Sequence, residues 1–130
     1  TTDESVLLQG AYDKLGKFFD ALDLDMLALE FSTPRAGEVE KLFSNNFLDT
    51  RVMLGFGCVN PRSEVIETPE EIVARVEEVL QFLPPERIWL NPDCGFATFA
   101  KRPLNPYPII QKKLENMVAA SKILREKYCK

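Results

Sequence analysis

The chain has 130 residues, 45% hydrophobic and 28% charged, with a net charge of −4, which is ordinary for one soluble domain or a piece of a larger one. Acidic balance and the lack of a basic patch interleaved with aromatics argue against nucleic acid as a partner, and no apolar run approaches the roughly 18 residues of a membrane span. Histidine is absent, so metal or acid–base chemistry within the chain must use Cys, Asp, Glu, Lys or Tyr.

The first predicted element is a helix from Thr1 to Leu22, with Leu8, Ala11, Tyr12, Leu15, Phe18, Phe19 and Leu22 at the spacing of one buried face. Thr1 and Glu4 are placed to form a capping box at its start. Met26-Leu27-Ala28-Leu29-Glu30-Phe31 follows as a near-continuous apolar run, the pattern of a parallel strand covered on both faces. Ser32 to Gly37 is a loop by composition, and a short helix is expected near Glu38 to Phe43, ended by Asn45-Asn46. The second strand is Arg51 to Val59. Gly55 and Gly57 leave one of its faces bare, which suits close packing or a ligand near the backbone.

Asn60-Pro61-Arg62-Ser63 reads as a turn. Thr68-Pro69-Glu70-Glu71 is a strong helix start, with Thr68 as the cap, Pro69 at the first helical position and Glu71 at the third. That helix buries Ile72, Val73, Val76, Val79, Leu80 and Leu83 and stops at Pro84-Pro85. The third strand begins at Ile88 and breaks at Asn91-Pro92. A long loop is expected from Phe96 to Pro106. A last helix runs from near Pro108 toward Tyr128, burying Ile110, Leu114, Met117, Val118 and Leu124.

The order α-β-α-β-α-β-α predicts an α/β fold with three parallel strands and right-handed crossovers. Three strands cannot close a barrel of eight, and an open sheet of three leaves two unpaired edges. Each strand is apolar enough to want cover on both sides, and the chain opens on a helix. The fold expected is therefore the C-terminal portion of a (β/α)8 TIM-type barrel, with residues 1–130 a partial domain whose upstream strands lie elsewhere. Its exposed edges would favour self-association. The chain start carries no signal-peptide pattern, and Cys58, Cys94 and Cys129 fit no disulfide framework, so the expected compartment is the reducing cytoplasm.

Glu30, Cys58 and Cys94 each lie at or just past the C-terminal end of a strand, where parallel α/β folds place their chemistry. A carboxylate and a thiolate are both zinc ligands, but two ligands do not make a four-coordinate site. Bland alternatives stand beside these readings. Glu30 would pair with Arg35 or a lysine, and Cys94 would be a small buried hydrophobe. Cys58 reads as packing rather than as a ligand, and Cys129 as an incidental exposed thiol.

Pro84-Pro85-Glu86-Arg87-Ile88-Trp89-Leu90-Asn91-Pro92-Asp93-Cys94-Gly95 closely resembles the end of the cobalamin-independent methionine synthase family, where such a segment carries the last zinc-binding cysteine on the final barrel strand. Leu29-Glu30-Phe31-Ser32 resembles the strand end that carries the family's zinc-ligating glutamate, and Gly55 to Ile72 runs in register with it. The resemblance implies a (β/α)8 methyltransferase with Glu30 and Cys94 as ligands of Zn2+. It also implies homocysteine, or another thiol, and a methyl-folate donor as small-molecule substrates. The zinc-bound thiolate would attack the donor's methyl group.

Two departures matter. The family's other two ligands are a His-x-Cys pair on the strand before that of Glu30, and this chain contains neither. The family's Asp-x-His-Ser is replaced by Asn60-Pro61-Arg62-Ser63, so a proton-shuttling histidine gives way to an arginine that cannot deprotonate. Asn60, Arg62 and Ser63 are candidate substrate-binding residues, with Arg62 either clamping a carboxylate or phosphate or lying free on the surface. The general acid–base residue is not identified. The chain alone is expected to be inactive, with half a zinc site. Two alternatives stay open: a different thiol alkyltransferase on the same barrel, and a non-catalytic fragment acting in assembly.

Overall fold

The computed structural model describes residues 3–129. Its centre is a parallel three-stranded sheet in the order β1-β2-β3, formed by β1 (Met26–Glu30), β2 (Met53–Val59) and β3 (Ile88–Pro92). The helices are α1 (Gly16–Ala21), α2 (Val39–Leu42), α3 (Leu48–Arg51), α4 (Pro69–Val79) and α5 (Tyr107–Tyr128), and a small antiparallel hairpin pairs β4 (Ala97–Phe99) with β5 (Arg102–Pro103).

Register assigns the two faces of the sheet. Leu27, Leu54 and Ile88 are level, as are Leu29, Phe56 and Leu90, and side chains alternate along each strand. These residues face the helices. Phe31 stacks on Phe56 with ring centroids 5.3 Å apart, and Arg75 of α4 lies 5.8 Å over the Phe56 ring. Ile72, Val76, Val79, Ala120 and Leu124 complete this core. The opposite face carries Met26, Ala28 and Glu30 beside Met53, Gly55 and Gly57, then Trp89 and Asn91.

Cover on both sides is therefore realised only for β2. Ala28 of β1 is exposed and Trp89 of β3 is 59% exposed, whereas Gly55 and Gly57 on the same face of the central strand are buried, with Met26, Asn91 and Asp93 close against them. A continuous apolar run thus marks a strand that is double-covered only when its neighbours are present.

The N-terminal helix is not continuous. Asp3 caps a single turn at Glu4–Val6, residues 7–11 run without helix, and a second turn at Tyr12–Leu15 leads into α1. Gly10 adopts φ +152, a conformation that breaks a right-handed helix and that side chains resist. Leu8, expected on the buried face, is 92% exposed. Tyr12 and Phe19 do reach the core. The expected capping box involves Thr1, which lies outside the described residues.

Further along, α2 and the capping box of Thr68 and Glu71 on α4 form as expected. Arg51 belongs to the unexpected turn of α3, so β2 starts at Met53. β3 runs through Asn91 to Pro92 instead of breaking there, and the loop after Cys94 folds into the β4–β5 hairpin. On α5 the buried stripe is Lys113, Ala120 and Leu124, with Met117 packed against the core. Leu114 and Val118 are exposed. The stripe turns toward Lys113 because Glu67 offers its ammonium a partner at 2.8 Å. Among the described residues, no helix is long and apolar enough to cross a membrane.

Candidate functional site at the strand ends

Glu30 and Cys94 sit at the same end of one sheet. Glu30 is level with Gly57, and Gly57 with Asn91, so Glu30 and Asn91 are two strand spacings apart, about 10 Å between backbones. Cys94 follows just past β3 and is partly accessible.

Asp93, next to Cys94, crosses the sheet to reach the end of β1. Its Oδ1 accepts the backbone N–H groups of Phe31 at 3.1 Å and Ser32 at 3.0 Å, and its Oδ2 accepts the Ser32 hydroxyl at 2.5 Å. Gly57 makes this crossing possible: a Cβ there would overlap Asp93 Oδ1 and stand 2.7 Å from the carbonyl of Leu29. Likewise a Cβ on Gly55 would stand 2.8 Å from Asn91 Oδ1 and 3.0 Å from the Met26 methyl. Of the two uses of a bare face, close packing is the one realised by these glycines. Burial raises the pKa of the Asp93 carboxyl, opposed by its bonds to Ser32 and Phe31.

Glu30 is paired with Arg35, whose guanidinium donates to Glu30 Oε2 and, at 2.9 Å, to the carbonyl of Leu8. Tyr12 donates its hydroxyl to the carbonyl of Glu30 at 3.2 Å. An ion pair to one carboxylate oxygen is compatible with either reading of Glu30, since ligating carboxylates are themselves commonly hydrogen-bonded.

Cys58 is buried on the helix face, its sulfur 3.6 Å from the carbonyl of Asn91. Burial pushes its thiol up to about 12, the state of an inert packing cysteine. Cys129 is exposed.

Asn60 and Ser63 spend their side chains on local structure. Asn60 accepts from the Arg62 N–H at 2.9 Å and donates to Glu4 at 2.7 Å, and Ser63 accepts from the Val65 N–H at 3.1 Å. Buried Asn105 holds this turn from outside, donating to the carbonyls of Pro61 and Ser63 at 2.7 and 3.0 Å. The buried Arg62 Nε has no hydrogen-bond partner.

Among the described residues, no group of three or more His, Cys, Asp or Glu side chains is gathered to hold a metal ion. The donor chemistry of Glu30 and Cys94 fits two positions of a zinc site, and a four-coordinate ion would need donors beyond the described residues. Sequence reasoning missed the roles of Asp93 and Lys113. The bare face of Gly57 was the signal for the first; nothing in the helical spacing marks the second.

Three parallel strands with crossover helices, with Glu30 and Cys94 at or just past the carboxyl ends of the two outer strands, have the architecture of a portion of a (β/α)8 barrel. The fold is similar to that of a B12-independent methionine synthase from Shewanella sp. W3-18-1, solved in complex with selenomethionine: TM-score 0.71 at 17% identity, covering 89% of this chain and 31% of that one. Residues 5–123 match the family described as cobalamin-independent synthase, catalytic domain, and the chain belongs to that family. It is 36% identical over 117 residues to a methionine synthase of Sulfurisphaera tokodaii, covering 90% of this chain and 31% of the relative. It is 33% identical over 108 residues to a 5-methyltetrahydropteroyltriglutamate–homocysteine methyltransferase of Candida albicans, covering 83% of this chain and 13% of the relative. The chain thus spans less than a third of these relatives.

Proposed function

We propose that this chain forms part of the catalytic barrel of a zinc-dependent methyltransferase that transfers a methyl group from a methyltetrahydrofolate to homocysteine, giving methionine. The observation that carries the reading is the placement of Glu30 and Cys94 at one end of one sheet, in a chain of the cobalamin-independent synthase family. In this reading Glu30 and Cys94 supply two zinc donors, and other parts of the barrel supply the rest. Zinc, when bound, acts as a Lewis acid that makes a thiol available as thiolate at neutral pH. The chain's own task is to hold the carboxylate and the sulfur at fixed separation and to keep a position open for the substrate thiol. The pairing of Arg35 with the Glu30 carboxylate serves the first of these needs.

The turn Asn60-Pro61-Arg62-Ser63 favours a second reading, in which the same barrel uses another thiol acceptor or methyl donor. Arg62 contributes a fixed positive charge in place of a titrating histidine, which suits an anionic group on the substrate. The cytoplasm is the compartment in which either chemistry, with its free thiols, is expected.

A methyl-transfer assay on the full-length polypeptide, with homocysteine and methyltetrahydrofolate, tests the proposal. Activity that falls by orders of magnitude in both Glu30→Gln and Cys94→Ser supports it, whereas full activity in either variant refutes the assigned roles. Arg62→His, with a panel of thiols, separates the two readings.

A further inference from the structure

We infer that Asp93 is a positioning residue for the metal site: it latches the Glu30 strand end to the Cys94 strand end across the central strand, through the gap left by Gly57. The inference rests on the zinc reading of Glu30 and Cys94 and goes beyond it, because neither residue can set their mutual distance alone. Glu30 ends one outer strand, Cys94 follows just past the other, and β2 stands between them.

Four observations converge on Asp93. Its backbone N–H donates to the carbonyl of Val59 at 2.9 Å, which fixes the start of the Cys94 turn to the end of β2. Its carboxylate takes three hydrogen bonds from Phe31 and Ser32, the two residues after Glu30. The Phe31 N–H also lies 3.1 Å from the carbonyl of Gly57, so the end of β1 is held by central and outer strands together. Gly57 lacks the one substituent that would block the passage.

A carboxylate drawn into a half-buried position pays desolvation, so its bonds must hold it there. Here both oxygens are used, and every bond goes to the segment that follows Glu30. The consequence is a rigid span from sulfur-bearing turn to carboxylate-bearing strand end. Partners that hydrogen-bond metal ligands directly contribute about 10–100-fold to metal affinity; Asp93 acts one step further out, on the two residues that follow Glu30, so the low end of that range is expected.

The test is zinc affinity of the full-length polypeptide, measured by competition with a chromophoric chelator and accompanied by amide exchange at Phe31 and Ser32. Asp93→Ala and Gly57→Ala are expected to weaken zinc binding at least tenfold and to speed exchange at both amides. Asp93→Asn keeps an acceptor oxygen in place and is expected to restore affinity to within about threefold. Ser32→Ala, which removes only the hydroxyl bonded to Asp93 Oδ2 and leaves the two backbone bonds to Oδ1 in place, is the mildest of these variants and is expected to lose affinity severalfold. Glu30→Gln and Cys94→Ser serve as references. If these two abolish binding while Asp93→Ala, Gly57→Ala and Ser32→Ala stay within twofold of the parent, the latch is overturned and the metal reading stands. If zinc binding ignores Glu30→Gln and Cys94→Ser, the metal reading fails, and the positioning role with it.

Discussion

Arg35 fastens Glu30 and the N-terminal segment to one another. Its guanidinium donates both to the Glu30 carboxylate and to the carbonyl of Leu8, and its own carbonyl accepts the Gly10 N–H at 3.2 Å. The side chain is largely buried, so these charged hydrogen bonds are screened less than surface pairs. Arg35→Ala is expected to lower stability by about 1.5 kcal/mol in urea denaturation and to speed amide exchange at Gly10 more than at Leu54. Arg35→Lys should not restore the loss, because one ammonium cannot reproduce the planar two-way donation.

Lys113 and Glu67 connect α5 to the turn below the site. The ammonium is fully buried and bonded to the Val65 carbonyl and to Glu67 Oε2, while Glu67 Oε1 accepts the Asn60 N–H at 2.8 Å. Removing one member of a buried pair leaves the other charge uncompensated. Lys113→Met is expected to cost about 3 kcal/mol and to loosen residues 60–67. Thermal denaturation and proteolysis within that segment would register both effects.

The three thiols should react in order of access. With iodoacetamide at neutral pH, Cys129 is expected to alkylate first, Cys94 next and Cys58 only on unfolding, since Cys58 is buried and its thiol is pushed up to about 12. The sign of the linkage follows. An unfolded cysteine ionises near about 8.5, so the contribution of neutral Cys58 is intact below that value. It is lost as pH rises from there toward 12, where the unfolded chain sheds the proton first. Denaturation midpoints that fall over this interval in the parent, and fall less in Cys58→Ala, would bear this out.

The open face and edges of the sheet also make a prediction. Trp89 is 59% exposed and Ala28 is exposed on the same face of the sheet, and β1 and β3 are both edge strands. Unpaired edges beside apolar surface favour association. The 130-residue chain on its own is expected to associate with rising concentration in light scattering, and Trp89→Lys to reduce this. A monomer at all concentrations would contradict it.

Much of the architecture was legible in sequence because local chemistry governed it. Thr68, Pro69 and Glu71 are a complete helix start, and Pro84-Pro85 is a complete stop. The apolar runs at Met26, Met53 and Ile88 placed all three strands, and their ends placed Glu30 and Cys94 together. What escaped depends on groups distant in sequence. Gly10 breaks an otherwise regular helical pattern through one backbone conformation. Lys113 is buried because Glu67 meets it across the fold, whereas spacing alone favoured Leu114 and Val118. Asp93 reads as a turn residue in sequence, and only the strand order brings it over Gly57 to Ser32.

The most direct measurement is anomalous scattering at the zinc edge from crystals of the full-length polypeptide grown with zinc. One peak is expected about 2.3 Å from Cys94 Sγ and about 2.0–2.2 Å from a Glu30 carboxylate oxygen. Zinc bound elsewhere, or Glu30 and Cys94 turned so that no single ion touches both, would contradict the proposed site.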